Sequence, residues 1–255
     1  MKLFTQKKFM NTVMLSLMLS ATQIMAKESN KDVLFNAERI TTISQELAKN
    51  YFYIQQGIQV SSAKKILKED MLALDEAIKK VKKNSKDEET KSIVDFMLFS
   101  VDELKSTIKE TANEENGALL LDYTETLLEG SETIAKHNKG KTESMLDVVE
   151  EMEFLLERAS KYYIAFRAGY TDAVNVTQGK LAVEKFERLL EKVKAYTFYS
   201  EAIVNGPVKK LSKYWPVSKN FYLGIKQNDL PTIVFISTKH MKTALEELIT
   251  YHKKN

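Results

Sequence analysis

Apolar residues recur along this chain in alternating steps of four and three, and that periodicity constrains the fold more than any other feature. From Val33 the pattern runs through Ala37, Ile40, Ser44, Leu47, Tyr51, Ile54 and Ile58. This spacing lays one apolar stripe along a helix, and such a stripe needs another helix to cover it. The same alternation returns at Leu67, Met71, Leu74, Ile78 and Val81, and again at Val94, Met97, Val101, Leu104 and Ile108. A weaker fourth stripe (Leu120, Tyr123, Leu127, Ile134) is interrupted by Gly130. The fifth is strong: Met145, Val148, Met152, Leu155, Ala159, Tyr162, Phe166. The sixth runs from Ala182 through Phe186, Leu189, Val193 and Tyr196 to Ile203.

A seventh helix is expected from Val208 to Ile225, kinked or starting late at Trp215-Pro216. An eighth is expected from Asp229-Leu230-Pro231, where a cap precedes an early-turn proline. Residues 232–238 are β-branched and would suit a strand, but a lone strand has no partner elsewhere in the chain. Breaks fall at Gly57–Ser62, Asn84–Glu89, Asn113–Gly117, Asn138–Lys141, Gly169–Gly179, Asn205–Pro207 and Lys226–Pro231. Short polar links of this kind join antiparallel helices. The fold class read from these features is all-α, with eight helices.

Composition removes whole classes of protein. The 255 residues include no cysteine, so there is no disulfide framework, no cysteine zinc site and no C-x-x-C-H haem attachment. Residues 1–26 carry Lys2, Lys7 and Lys8, no acid, an apolar run and a terminal Ile24-Met25-Ala26. That is the layout of a secretory signal peptide cleaved after Ala26, giving a periplasmic or secreted protein with no membrane span after signal removal. Removing it takes three lysines, so 38 basic and 35 acidic residues become 35 of each. The basic balance therefore belongs to the signal, and no nucleic-acid partner is expected.

The mature chain reads as an internal repeat. Residues 37–57 align without gaps on residues 149–169, an offset of 112, with Glu38/Glu150, Lys49/Lys161, Tyr51/Tyr163 and Gly57/Gly169 identical. The expected domains are 1–26 (signal), 27–140 and 141–255, each of the latter an up-down-up-down four-helix bundle. Two arrangements fit: side-by-side bundles with helices 1 and 5 facing, or an end-to-end stack. The swapped signs of Arg39/Glu151 and Glu46/Arg158 favour the first, through reciprocal pairs across helices 1 and 5.

Residues 36–49, NAERITTISQELAK, resemble the N-A-G-R-Q-R-M-L-S-Q-R-x-A-K signature of the PilJ-type domain. This is the type IV pili methyl-accepting chemotaxis transducer N-terminal domain, related to nitrate/nitrite sensor domains. Asn36, Ala37, Arg39, Ser44, Gln45, Ala48 and Lys49 match, and Trp215-Pro216-Val217 resembles the family's tryptophan segment. The resemblance implies a sensor fold with a polar ligand site around Arg39, Thr41, Ser44 and Gln45, with Arg158 in the second repeat. The signature's glycine is Glu38 here, its second arginine Thr41 and its third Glu46; in the second repeat Glu151 and Glu153 replace the first two, and only Arg158 remains. A nitrate-type site needs converging donors and positive charge, and this chain places carboxylates there. Ser44 lies on the apolar stripe, where a hydroxyl bonds back to a carbonyl one turn earlier.

No catalytic or metal motif is present: no H-E-x-x-H, no G-x-S-x-G, and no Glu three residues before His137, His240 or His252. His137 and His252 sit at helix ends, where a cation complements the helix dipole. Tyr162, Tyr163, Phe166, Tyr196, Phe198 and Tyr199 are expected to cluster near the helix 5–6 turn, as do Tyr51, Phe52 and Tyr53 in the first half. The expectation is a non-enzymatic, cofactor-free, stand-alone exported sensor-type domain. It binds a small ligand, a membrane receptor or sensor protein, or both; the alternative is a structural or protein-interaction bundle without a ligand.

Overall fold

The computed structural model describes residues 30–138, 143–225 and 229–255. The segment expected to be a signal, residues 1–26, lies outside the described residues. Eight long helices make up the described chain, with no strand among those residues. They are α1 (30–55), α2 (Val60–Asn84), α3 (Glu88–Lys109), α4 (Glu114–Asn138), α5 (Met145–Arg167), α6 (Ala173–Lys194), α7 (Lys209–Leu223) and α8 (Pro231–Lys254). The all-α class is therefore correct, and the β-branched segment 232–238 lies inside α8.

Local signals start these helices where the sequence supplies an oxygen for an orphan N–H. The Asp87 carboxylate accepts from the Thr90 N–H at 2.6 Å to open α3, and Asp172 does the same for Asn175 at 2.9 Å to open α6. Ser144 and Asp147 close a reciprocal capping box on α5. At α8 the cap residue is Leu230 with Pro231 first in the helix; Asp229 instead pairs with Arg167.

Two boundaries differ from expectation. The α5–α6 break is shorter than Gly169–Gly179, because the Asp172 cap starts the helix early. Gly179 then faces Tyr162, whose Cβ would lie 3.1 Å from an added methyl. The sixth stripe ends at Lys194 rather than Ile203, and Asn205–Pro207 is no link between helices. There the chain makes a π-turn, Val204–Val208, between a short turn at Glu201–Ile203 and α7. Pro207 offers no N–H and Gly206 leaves helical geometry (φ −91°, ψ −106°), so the kink falls here while α7 runs on through Pro216.

Helices α1 and α5 lie at the centre. In α5, 13 of 23 residues are buried, against 5 of 22 in α6. On α1 even Asn36, Ser44, Gln45 and Asn50 are fully buried. The two helices touch directly: Lys49 pairs with Glu157, and Arg158 donates to Gln45 at 3.2 Å. The flanking helices run antiparallel to α1. On α2, Asn84, Glu76 and Asp70 meet Asp32, Arg39 and Asn50 in descending order. On α8, Lys253, Lys242 and Phe235 meet Phe35, Glu46 and Tyr53. α4 reaches both central helices, through Ser131 to Thr41 and Glu125 to Lys161. One continuous apolar core draws on all eight helices. Trp215 packs within it against Phe186, with ring centroids 4.0 Å apart.

The aromatic clusters differ from expectation as well. Tyr196, Phe198 and Tyr199 follow the C-terminus of α6, at the far end of that helix from the α5–α6 turn. They pack with Tyr251 and His252 of α8. Burial lowers the pKa of His252, and its Nε2 lies 2.8 Å from the Tyr199 hydroxyl. It stands in the last turn of α8, as expected, and adds a hydrogen bond to Tyr199 there.

The central helices end alike. Gly57 has φ +69° and Gly169 φ +106°. After α1, the Gly57 N–H bonds to the Ile54 carbonyl (3.0 Å) and the Ile58 N–H to that of Tyr53 (2.9 Å). After α5, Gly169 bonds to Phe166 (3.2 Å) and Tyr170 to Ala165 (3.0 Å), each bond 112 residues on. Both are Schellman turns, which place a residue without Cβ in left-handed geometry. Gly57→Ala and Gly169→Ala should each lower stability by about 1 kcal/mol in urea unfolding, although nothing obstructs the added methyl.

Candidate functional site

Towards their N-terminal ends α1 and α5 part, and a cleft of about 720 Å³ opens between them. That is within the range of roughly 300–1,000 Å³ typical of small-molecule sites. Phe35, Glu38, Arg39, Thr41 and Thr42 come from α1; Asp147, Glu150, Glu151, Glu153 and Phe154 come from α5. Each α1 residue in that set stands 112 positions before one of the α5 residues, so the two walls share the offset of the sequence alignment. Asp70 of α2, Glu132 and Lys136 of α4, and Lys242, Glu246 and Lys253 of α8 complete the lining.

The deep end of the cleft is an ion network. Lys242 pairs with Glu46 and lies 4.0 Å from Glu153. Behind it, Lys49 pairs with the fully buried Glu157. Asp70 accepts a 3.4 Å bond from Asn50. Burial pushes the Asp70 carboxyl up to about 9, reinforced by the neighbouring Glu46 charge. Burial also raises Glu153 to about 8, Lys242 opposing it and Glu46 and Glu157 adding to it. Burial acts upward on Glu46 too, but Lys242 and Lys49 together hold it below the usual range. Four carboxyl groups (Glu46, Asp70, Glu153, Glu157) and two lysines would leave two negative charges if all were ionised. Burial raises Asp70, Glu153 and the fully buried Glu157 alike, so protons held within the cluster at neutral pH remove that excess, which is how the fold tolerates it.

The five sequence-derived site residues divide into two groups. Arg39 and Thr41 line the cleft, Arg39 lying 3.9 Å from Glu76. Ser44, Gln45 and Arg158 lie below it as a chain of hydrogen bonds. The Ser44 hydroxyl donates to the Thr41 carbonyl at 2.8 Å, the bond back to the preceding turn expected of it. Gln45 donates to that hydroxyl at 3.0 Å and accepts from Arg158. Arg158 also reaches Glu125 (3.4 Å) and Gln178 (3.2 Å). Burial brings the adjacent Lys161, paired with the same Glu125, down to about 8.

The expected reciprocal pairs across α1 and α5 do not form. Glu46 takes Lys242 from α8, and Arg158 takes Glu125 from α4. Arg39 takes Glu76, and Glu151 takes Lys185. The contact line between the central helices is filled by Lys49 and Glu157, so their neighbours turn toward flanking helices. The sign swap between Glu46 and Arg158 is answered by opposite partners. Asp70, Glu132, Lys242 and Glu246 escaped the sequence reading because their helices meet α1 and α5 only in the folded chain. Beside Tyr162 and Tyr163 there is about 10 Å³, room for one water at most.

Among the described residues no group of three or more His, Asp or Glu side chains is placed to hold a metal ion. No helix there is long and apolar enough to cross a membrane. No protein-family model, no curated protein and no solved structure matches the chain.

Two outcomes follow from the ion network. Asp70 and Glu153 bind protons in the folded chain well above the ordinary carboxylate range. Their contribution to stability is complete below about pH 4 and is lost as pH rises toward their folded values. Between pH 6.5 and 8 the melting temperature should fall, and Asp70→Asn should fall less, as followed by circular dichroism. Separately, Lys49→Met strands a buried Glu157 and should cost about 3–5 kcal/mol in urea unfolding, whereas Lys49→Met with Glu157→Leu should recover most of it.

Proposed function

We propose that this chain is an exported, periplasmic sensor-type domain that binds a small ligand in the α1–α5 cleft and signals through a membrane receptor or sensor protein. In this reading it is two tandem PilJ-like four-helix units, related by internal duplication, akin to the type IV pili methyl-accepting chemotaxis transducer N-terminal domain. The observation that carries it is the cleft itself, walled by matched positions of the two signature helices. The twin Schellman turns and the oppositely signed pairs Glu46–Lys242 and Arg158–Glu125 support the duplication. Arg39 and Thr41 are the contact residues; Ser44, Gln45 and Arg158 position the helices beneath them.

The second reading, a protein-interaction bundle without a small ligand, draws on Phe96 and Phe99, which stand 64% and 62% exposed on one face of α3. The cleft weighs for the first reading, since a purely structural bundle has no reason to leave it unfilled.

The test uses thermal unfolding with a library of small metabolites. At a hundredfold excess over Kd a bound compound adds about 2.7 kcal/mol, or roughly 5–10 °C for a chain of this size. The shift should vanish in Thr42→Trp, which places an indole at the level of Phe154 on the other wall. No stabilising compound, together with co-purification of a protein partner through Phe96 and Phe99, would favour the second reading. Export is checked by fractionation, with Lys27 as the expected N-terminal residue of the periplasmic form.

A further inference from the structure

Resting on the ligand-site reading above, we infer that the cleft takes a linear aliphatic amine carrying two or more positive charges. Nine carboxyl groups line the cleft against four cationic side chains. Even with Asp70 and Glu153 protonated, the negative excess remains, so an anion of the nitrate kind is repelled.

The chain's own lysines show which group the walls accept. The Lys253 ammonium sits 4.4 Å over the Phe35 ring and 2.9 Å from Glu150, held by one aromatic face and one carboxylate. Deeper in, the Lys242 ammonium is held by Glu46 with Glu153 beside it. Both are primary alkylammonium groups on methylene stems, and both use part of the lining. Two further carboxylates, Glu132 on α4 and Glu246 on α8, are exposed at the cleft and make no ion pair among the described residues. They stand on different helices, so a monoamine answers one and leaves the other. Between the acids the surface is apolar, with Ile43, Ala73, Phe154 and Ile249 placed to cover methylene segments. Ammonium groups separated by short hydrocarbon runs match that alternation.

The experiment is calorimetric titration of the purified chain with spermidine at pH 7 and 0.15 M NaCl, where diffuse surface attraction is screened. The neutral 1,8-octanediol and sodium nitrate serve as comparison probes. One-to-one saturable binding of spermidine is expected. It should weaken at least tenfold in Glu132→Gln/Glu246→Gln and be unchanged in Glu191→Gln, an exposed acid on α6; unaltered melting shows that each variant is folded. Multi-site binding, no binding, or equal affinity in the double variant overturns the inference. If octanediol or nitrate binds, is blocked by Thr42→Trp, and spermidine gives nothing, the cationic class is wrong and the ligand site stands. If neither these probes nor any library compound binds, both fall together.

Discussion

Everything in this fold depends on burying two parallel helices that carry charge. α1 and α5 are enclosed on nearly all sides, yet between them they hold Glu46, Lys49, Glu157, Arg158 and Lys161. A lone buried ion costs several kcal/mol, so each must find an opposite charge or give up its own. Lys49 and Glu157 satisfy one another across the central contact. Glu46 and Arg158 turn outward to α8 and α4. These demands tie four helices into a fixed register, because slipping any one by a turn would strand an ion away from water.

The same arrangement explains why the cleft opens where it does. Towards their C-terminal ends the central helices close on aromatic residues, with Tyr53 against Phe235 and Tyr163 near Tyr222. Towards their N-terminal ends the matched faces carry Glu38, Arg39 and Thr41 against Glu150, Glu151 and Glu153, which are too polar and too alike in charge to pack dry. A cleft opens there, and acids from α2, α4 and α8 line it. Asp70 and Glu153, pushed up by burial, keep their protons at neutral pH, while the acids exposed at the cleft leave it negative.

Much of the fold was legible in the residues. Six stripes, with the proline signals at Trp215-Pro216 and Leu230-Pro231, located the eight long helices of the described residues, including α8, where β-branched composition argued for a strand. Gly57 and Gly169, singled out by alignment, prove to be left-handed helix ends with the same hydrogen bonds. Ser44 behaves as a stripe hydroxyl must. The errors fall where local signals compete: Asp172 started α6 ahead of Gly179, and Pro207 bent a helix that was read as ended. Of the site, Arg39 and Thr41 were visible on α1, while Lys242, Asp70, Glu132 and Glu246 carried no signal of their own.

By itself the sequence determined that the described residues are helical, where most of the long helices end, and that Gly57 and Gly169, 112 positions apart, both close a helix. These are matters of local geometry: a four-three period, a capping oxygen or a glycine acts within a few residues. Only the tertiary structure decided which charge answers which, and therefore that Glu46 meets Lys242 rather than Arg158 and that a negative cleft lies between the central helices. A charge has no direction and pairs with whatever packing brings within reach. Here, packing brings residues together across nearly 200 positions of chain.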